Sequence, residues 1–130
     1  KEAIEIIRLL CDFNIPYFVI GNGSNLLVKD EGYRGVIIEL GKYFSSIDIA
    51  EDTITADAGA LLSKVANEAY KASLSGLEFA SGIPGSVGGG VFMNAGAYGG
   101  EMKDVVESVT LLNTKTGQIV VKSCYEMECA

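Results

Sequence analysis

Residues 81–101 read Ser81-Gly82-Ile83-Pro84-Gly85-Ser86-Val87-Gly88-Gly89-Gly90-Val91-Phe92-Met93-Asn94-Ala95-Gly96-Ala97-Tyr98-Gly99-Gly100-Glu101. Glycine accounts for 16 of the 130 residues, and nine of the sixteen fall between Gly76 and Gly100. A flexible linker is the simplest reading of such a run, but linkers are polar. Here Ile83, Val87, Val91, Phe92 and Met93 are interleaved at near-helical spacing. Pro84 sets φ just ahead of a helix start expected at Gly85-Ser86. Gly85, Gly88 and Gly89 on one face would let another backbone or a ligand lie against that helix, and free N–H groups at its N-terminus would face a pyrophosphate. Gly96, Gly99 and Gly100 then close a second tight loop around Ala97 and Tyr98.

A second glycine loop lies upstream. Gly21-Asn22-Gly23-Ser24-Asn25 separates Tyr17-Phe18-Val19-Ile20 from Leu26-Leu27-Val28. Asn-Gly between apolar runs reads as a tight hairpin turn. It reads equally as an anion-binding nest, with Ser24 and Asn25 adding donors. Asn22-Gly23-Ser24 also spells a glycosylation sequon, set aside because no secretory signal is evident. Leu26 stands where a dinucleotide fingerprint needs its third glycine, and no Gly-Lys-Ser/Thr occurs, so neither standard nucleotide loop fits. Two separated glycine loops without a lysine, in an acidic chain, favour a large phosphate-bearing cofactor held by backbone.

Periodicity supplies the frame around the loops. Glu2 to Phe13 is expected to be an amphipathic helix with Ile4, Ile7 and Cys11 on one stripe, stopped by Asn14 and Pro16. Tyr17–Ile20 reads as a short buried strand and Val36–Leu40 as another; Ser46–Ala50 and Thr53–Ala58 flank a Glu51-Asp52 turn. Leu61–Ser73 forms a second helix, with Leu61, Val65 and Ala69 in register and Leu62, Ala66 and Tyr70 beside them. Val105–Asn113 and Gln118–Lys122 pair across Thr114-Lys115-Thr116-Gly117. Ser123-Cys124-Tyr125-Glu126 has capping-box spacing and is expected to begin a helix that runs past Ala130. Strands and helices intersperse without regular βα alternation, which gives an α+β class. The expected division is a first lobe over residues 1–46 and a second over 47–130.

Composition removes several chemistries. There is no histidine, so histidine triads, histidine-ligated zinc and imidazole acid–base catalysis are unavailable within the chain. The formal net charge is −7, which opposes binding to a polyanion, and no nucleic-acid partner is expected. Cys11, Cys124 and Cys129 have no zinc spacing and read as reduced thiols. No metal site is expected. No apolar run approaches a membrane span, so no membrane association is expected, and the alternating charge of Lys1-Glu2-Ala3-Ile4-Glu5 points to a cytoplasmic protein.

Ile20–Val28, Gly82–Gly89 and Met93–Glu101 together closely resemble the UDP-N-acetylenolpyruvoylglucosamine reductase family, within the flavin-binding superfamily typified by vanillyl-alcohol oxidase and p-cresol methylhydroxylase. The resemblance runs over essentially the whole chain. It implies a two-lobed FAD-binding fold, here truncated at both ends, whose glycine segments bracket the pyrophosphate and ribityl chain. The positions carried over for FAD are Gly21, Asn22, Gly23, Ser24, Asn25 and Leu26, then Gly82, Ile83, Pro84, Gly85, Ser86, Gly88 and Gly89, then Asn94, Ala95, Gly96 and Ala97. Asn94 is equally a helix cap, Tyr98 touches the flavin or packs on the second lobe, and Glu101 is a solvated or loop-bracing carboxylate.

The resemblance further implies that NADPH reduces FAD. Hydride then passes to UDP-N-acetylglucosamine enolpyruvate in peptidoglycan synthesis, with no obligate protein partner. Its catalytic arginine, in a Tyr-Arg-x-Ser segment, is expected just past Ala130, and its proton-donating serine and its glutamate in a further substrate-binding domain. Arg8 and Arg34 are the two arginines present and neither has that context, so no catalytic position is carried over. Two alternatives stay open: a module that binds FAD or a UDP-sugar without turnover, and another oxidoreductase of the same superfamily.

Overall fold

The computed structural model describes residues 2–20, 35–41, 44–114, 116 and 118–123. Helix α1 (Glu2–Asp12) leads into β1 (Tyr17–Ile20), and β2 (Val36–Glu39) pairs with β1 in parallel, Tyr17 opposite Val36. Parallel neighbours need a long crossover, and residues 21–35 supply its length. Next come a hairpin of β3 (Ile47–Ala50) and β4 (Thr53–Ala56), helix α2 (Leu62–Lys71) and a 3₁₀ turn at Glu78–Gly82. Helix α3 (Val87–Met93) follows, then a minimal hairpin of β5 (Gly96–Ala97) and β6 (Gly100–Glu101). A second 3₁₀ turn, Met102–Asp104, leads to the hairpin of β7 (Ser108–Leu112) and β8 (Ile119–Ser123). The mixed α+β content agrees with the class expected from the sequence.

Helices α1, α2 and α3 end in the same way, and none uses glycine. Asn14, Ser73 and Asn94 adopt φ of 55°, 60° and 48°. Ile15, Leu74 and Ala95 then donate back to Leu10, Ala69 and Gly90 at 2.9, 2.9 and 2.8 Å. Each is a Schellman closure that satisfies carbonyls the helix would otherwise leave open. The expected stop at Asn14 is therefore borne out.

The core sits under the glycine-rich segment. Leu62, Ala66, Phe79, Ala80 and Met102 are buried together, with Leu77, Ile83, Val87, Val91, Ala95 and Val106 packed around them. Val87 and Val91, four apart, share the inward face of α3; Phe92 and Met93 are 91% and 60% exposed and take no part. Helix α2 is also rotated from expectation. Its buried stripe is Leu62, Val65, Ala66 and Ala69, while Leu61 and Tyr70 face outward. Leu61 is the extended N-cap, so the helix begins one residue later.

The strand Tyr17–Ile20 is not buried as expected. Phe18 is 50% and Val19 42% exposed. Gly59, on the turn before α2, is fully enclosed by the chain that follows β2. A methyl group on it would lie within 2.9 Å of the carbonyl oxygens of Leu40, Gly41 and Phe44. Several expected features fall outside the described residues: the Gly21–Asn25 loop, the Leu26–Val28 segment, the glycine of the Thr114–Gly117 turn, and the helix expected after Ser123, which itself closes β8. Among the described residues no helix is long and apolar enough to cross a membrane.

Candidate functional site

The site grows from the turn before α3. Gly85 has φ of 123°, a conformation closed to other residues at reasonable cost, and its carbonyl accepts the N–H of Leu62 at 3.0 Å. That bond ties the turn to the start of α2. Ser86 is the N-cap: it is buried, and its Oγ accepts the N–H of Gly89 at 3.4 Å. Pro84 is exposed and Ile83 half-buried against the core.

The expected free N–H groups at the α3 N-terminus are not there. Val87 donates to Ala60 O at 2.8 Å and Gly88 to Ala58 O at 2.9 Å. With Gly89 on Ser86, the first turn is spent on the chain itself. The segment before α2 folds over the helix start and takes its donors, a long-range pairing that periodicity cannot reveal. Gly88 serves the same packing, since a Cβ there would lie 3.0 Å from Ala58 Cβ. Gly90 is pressed on Leu62, with 2.8 Å available to Cδ1. The expected grouping of Gly85, Gly88 and Gly89 on one open face is thereby corrected. Gly85 precedes the helix, Gly88 is covered, and Gly89 alone stays open.

Gly82 and Gly89 are glycines the chain does not itself require. Neither has a left-handed φ. A Cβ on Gly82 would meet nothing within 4 Å, and one on Gly89 only Ser86 Oγ at 3.6 Å. Within a helix such a glycine costs about 1 kcal/mol against alanine. Both are exposed. These bare backbone faces fit the close approach of an extended phosphate-bearing cofactor, whereas the α3 N-terminus does not.

Downstream, the expected tight loop is a two-residue turn. Tyr98 and Gly99 have φ of 52° and 83°, the double left-handed geometry that suits strand twist. Gly96 is closed in by Gly100 O, 2.7 Å from its would-be Cβ. Ala95 packs on the core and Ala97 is half-buried. Tyr98 is 98% exposed, so it does not pack on the rest of the chain. Asn94 caps α3, and its side chain is occupied: Nδ2 donates to Glu101 Oε2, and Oδ1 accepts the N–H of Lys103 at 2.8 Å. The loop-bracing role expected of Glu101 is borne out by that bond.

An open groove of about 430 Å³ runs beside the turn, lined by Gly76, Glu78, Phe79, Tyr98, Gly99 and Gly100. Sequence reading missed Gly76, Glu78 and Phe79 as lining; the one signal was a carboxylate set between Leu77 and Phe79. The N–H groups of Glu78 itself and then of Gly76 hold the Glu78 carboxyl below the usual carboxylate range, the Gly76 bond being 2.8 Å. The groove mouth is thus anionic and suits hydroxyl or amino donors better than phosphate. Because folding favours the ionised form, its stabilisation is complete above the unfolded value and is lost as pH falls through the lowered folded value. Glu78→Gln is expected to lower the thermal midpoint at neutral pH and to converge with the parent as pH falls from neutral through the carboxylate range, which flattens the acid limb. Melting curves across that range check this.

Among the described residues no cluster of three or more histidine, cysteine, aspartate or glutamate side chains is placed to hold a metal. Cys11 is a half-buried free thiol. The loop residues Gly21, Asn22, Gly23, Ser24, Asn25 and Leu26 lie outside the described residues.

The family described as FAD binding domain matches residues 1–123. A UDP-N-acetylenolpyruvoylglucosamine reductase of Clostridioides difficile (strain 630) is 52% identical over 98% of this chain and 42% of its own length. One from Clostridium tetani is 56% identical over 88% of this chain and 37% of its own. The crystal structure of the Thermus caldophilus UDP-N-acetylenolpyruvylglucosamine reductase superposes with a TM-score of 0.76 at 40% identity, covering 95% of this chain and 44% of that one. The chain therefore spans about two fifths of the length of the relatives it matches.

Proposed function

Because this chain belongs to the FAD binding domain family, we propose that it is the FAD-holding portion of a UDP-N-acetylenolpyruvoylglucosamine reductase. The observation that carries this reading is the 52% identity to such a reductase across 98% of the chain. It is supported by Gly82 and Gly89, whose bare faces have no explanation in the chain's own packing or conformation. Bound FAD would supply hydride transfer from NADPH to the enolpyruvyl group of UDP-N-acetylglucosamine enolpyruvate, for peptidoglycan synthesis.

The chain's own work in this reading is binding and positioning. Gly82 and Gly89 let the cofactor approach the backbone, with Ile83, Pro84, Gly85 and Ser86 setting the path between them. Gly21, Asn22, Gly23, Ser24, Asn25 and Leu26 are the further residues assigned to FAD in this reading. The same reading ends the first lobe near residue 46, and Gly59 packs against the carbonyl oxygens of Leu40, Gly41 and Phe44. The protein works in the cytoplasm and needs no further protein partner.

The test is uptake and reduction. Protein carrying this chain, titrated with FAD, should quench flavin fluorescence at a stoichiometry of one, and NADPH should bleach the bound flavin when the remainder of the reductase is present. No uptake of FAD by the protein would overturn the reading. Uptake and bleaching with no reoxidation of the reduced flavin by the enolpyruvyl sugar would keep the cofactor and move the activity to another oxidoreductase of the superfamily.

A further inference from the structure

Helix α3, Val-Gly-Gly-Gly-Val-Phe-Met, is only 7 residues long and has glycine at three of them, so it cannot hold its own shape. Its N-terminus is pinned to Ala58 and Ala60. At its C-terminus the Asn94 side chain adds to the backbone bonds that close the helix. Asn94 adopts the left-handed conformation that closes the helix, and its amide then reaches two groups of opposite demand. The Glu101 carboxylate accepts from Nδ2, and the Lys103 N–H donates to Oδ1 at 2.8 Å. An amide offers a donor and an acceptor on one short arm, and asparagine also tolerates positive φ better than most residues.

Glu101 is fixed in turn. Its N–H donates to Asp104 Oδ2 at 3.0 Å, and its side chain accepts from the Asp104 backbone, a reciprocal capping box around the 3₁₀ turn. Met102, inside that turn, is anchored in the core and donates its N–H to Ala95 O at 2.9 Å. A continuous set of bonds therefore runs from the end of α3 through Asn94 and Glu101 to the core. It also closes the base of the hairpin that carries Tyr98 and Gly99.

From this we infer that Asn94 is a positioning residue: its side chain faces Glu101 and Lys103, and it sets where the glycine helix stands. This rests on the reading of the Gly82–Gly89 segment as part of the FAD site, and it revises the expectation that Asn94 contacts the cofactor. Asn94→Asp removes the donor and sets two carboxylates against each other, with Asp104 adding a third nearby. Adding Glu101→Gln restores a donor–acceptor pair in the reverse sense, while the carboxylate introduced at position 94 still accepts from the Lys103 N–H.

The experiment is a cycle of Asn94→Asp, Glu101→Gln and the double variant. FAD affinity is read by fluorescence, and the thermal midpoint is read without cofactor. Asn94→Asp is expected to weaken FAD binding about tenfold or more, and the double variant to return within about threefold of the parent. A double variant no better than Asn94→Asp would overturn the inference, since the amide would then act on the cofactor itself. Asn94→Gly keeps the helix closure and removes both links; unchanged FAD affinity there would also overturn it. If the parent takes up no FAD, the cofactor reading fails on its own. The strut is then judged by the cofactor-free midpoints, where additive effects of the two substitutions would end it.

Discussion

Replacing Gly59 with alanine is expected to destabilise this protein by about 3 kcal/mol, the upper end of the range for overpacking a filled interior. The new methyl would lie within 2.9 Å of three carbonyl oxygens, those of Leu40, Gly41 and Phe44. Carbonyl oxygens belong to the backbone, so they cannot swing aside as a side-chain terminus can. Relief requires the backbone at Leu40, Gly41 and Phe44 to lift off the turn before α2. Domains of ordinary size have only about 5–15 kcal/mol of net stability. The thermal midpoint should therefore fall by roughly 10 °C, given about 3–4 °C per kcal/mol for a chain of this size. Gly41→Ala is the matched control, because nothing lies within 4 Å of its Cβ position. Equal midpoints for the two variants would show that the carbonyl cage around Gly59 does not exist.

The second large effect is on binding, with the opposite sign on stability. Gly89→Ala adds a helix-favouring methyl that meets only Ser86 Oγ at an ordinary 3.6 Å. It should stabilise the cofactor-free protein by about 0.5–1 kcal/mol. Gly82→Ala should be neutral or slightly stabilising, since its Cβ position is empty and its φ is unremarkable. Each is nevertheless expected to weaken FAD binding at least tenfold, about 1.4 kcal/mol, by holding the cofactor off the backbone. Gly88→Ala gives the contrast: its methyl meets Ala58 Cβ at 3.0 Å and Ala58 O at 3.2 Å, so it should lose stability first. Paired measurements of melting midpoint and FAD dissociation constant separate these outcomes. If Gly82→Ala and Gly89→Ala both bind FAD within twofold of the parent, these faces are not where the cofactor lies.

Local patterns in the chain are a sound guide to local structure. The helix around Glu2–Asp12, the β3–β4 and β7–β8 hairpins and the tight turn at Tyr98-Gly99 follow from spacing, turn residues and β-branched runs, which act between near neighbours. The glycine stretch is likewise distinguishable from a linker, because apolar residues inside it must be buried somewhere. Its division of labour is not legible. Gly88, Gly89 and Gly90 are identical letters in a row, yet one meets Ala58, one meets open space and one meets Leu62. The first N–H groups of α3 read as free for a phosphate, but the Ala58 and Ala60 carbonyls, nearly thirty residues earlier in the chain, occupy them.

What the sequence by itself determined is the class of the protein: the periods of its helices and strands, the concentration of glycine, the absence of histidine and the motifs that carry its family resemblance. Those properties are set by residue identity and short spacing. Tertiary structure alone decided which glycines serve the fold and which stay open to a ligand, that Asn94 is a strut, and that Gly59, outside the glycine-rich stretch, is among the most crowded. The physical reason is the same in each case. A glycine or an amide acquires its role from the atoms that approach it, and here those atoms come from distant parts of the chain.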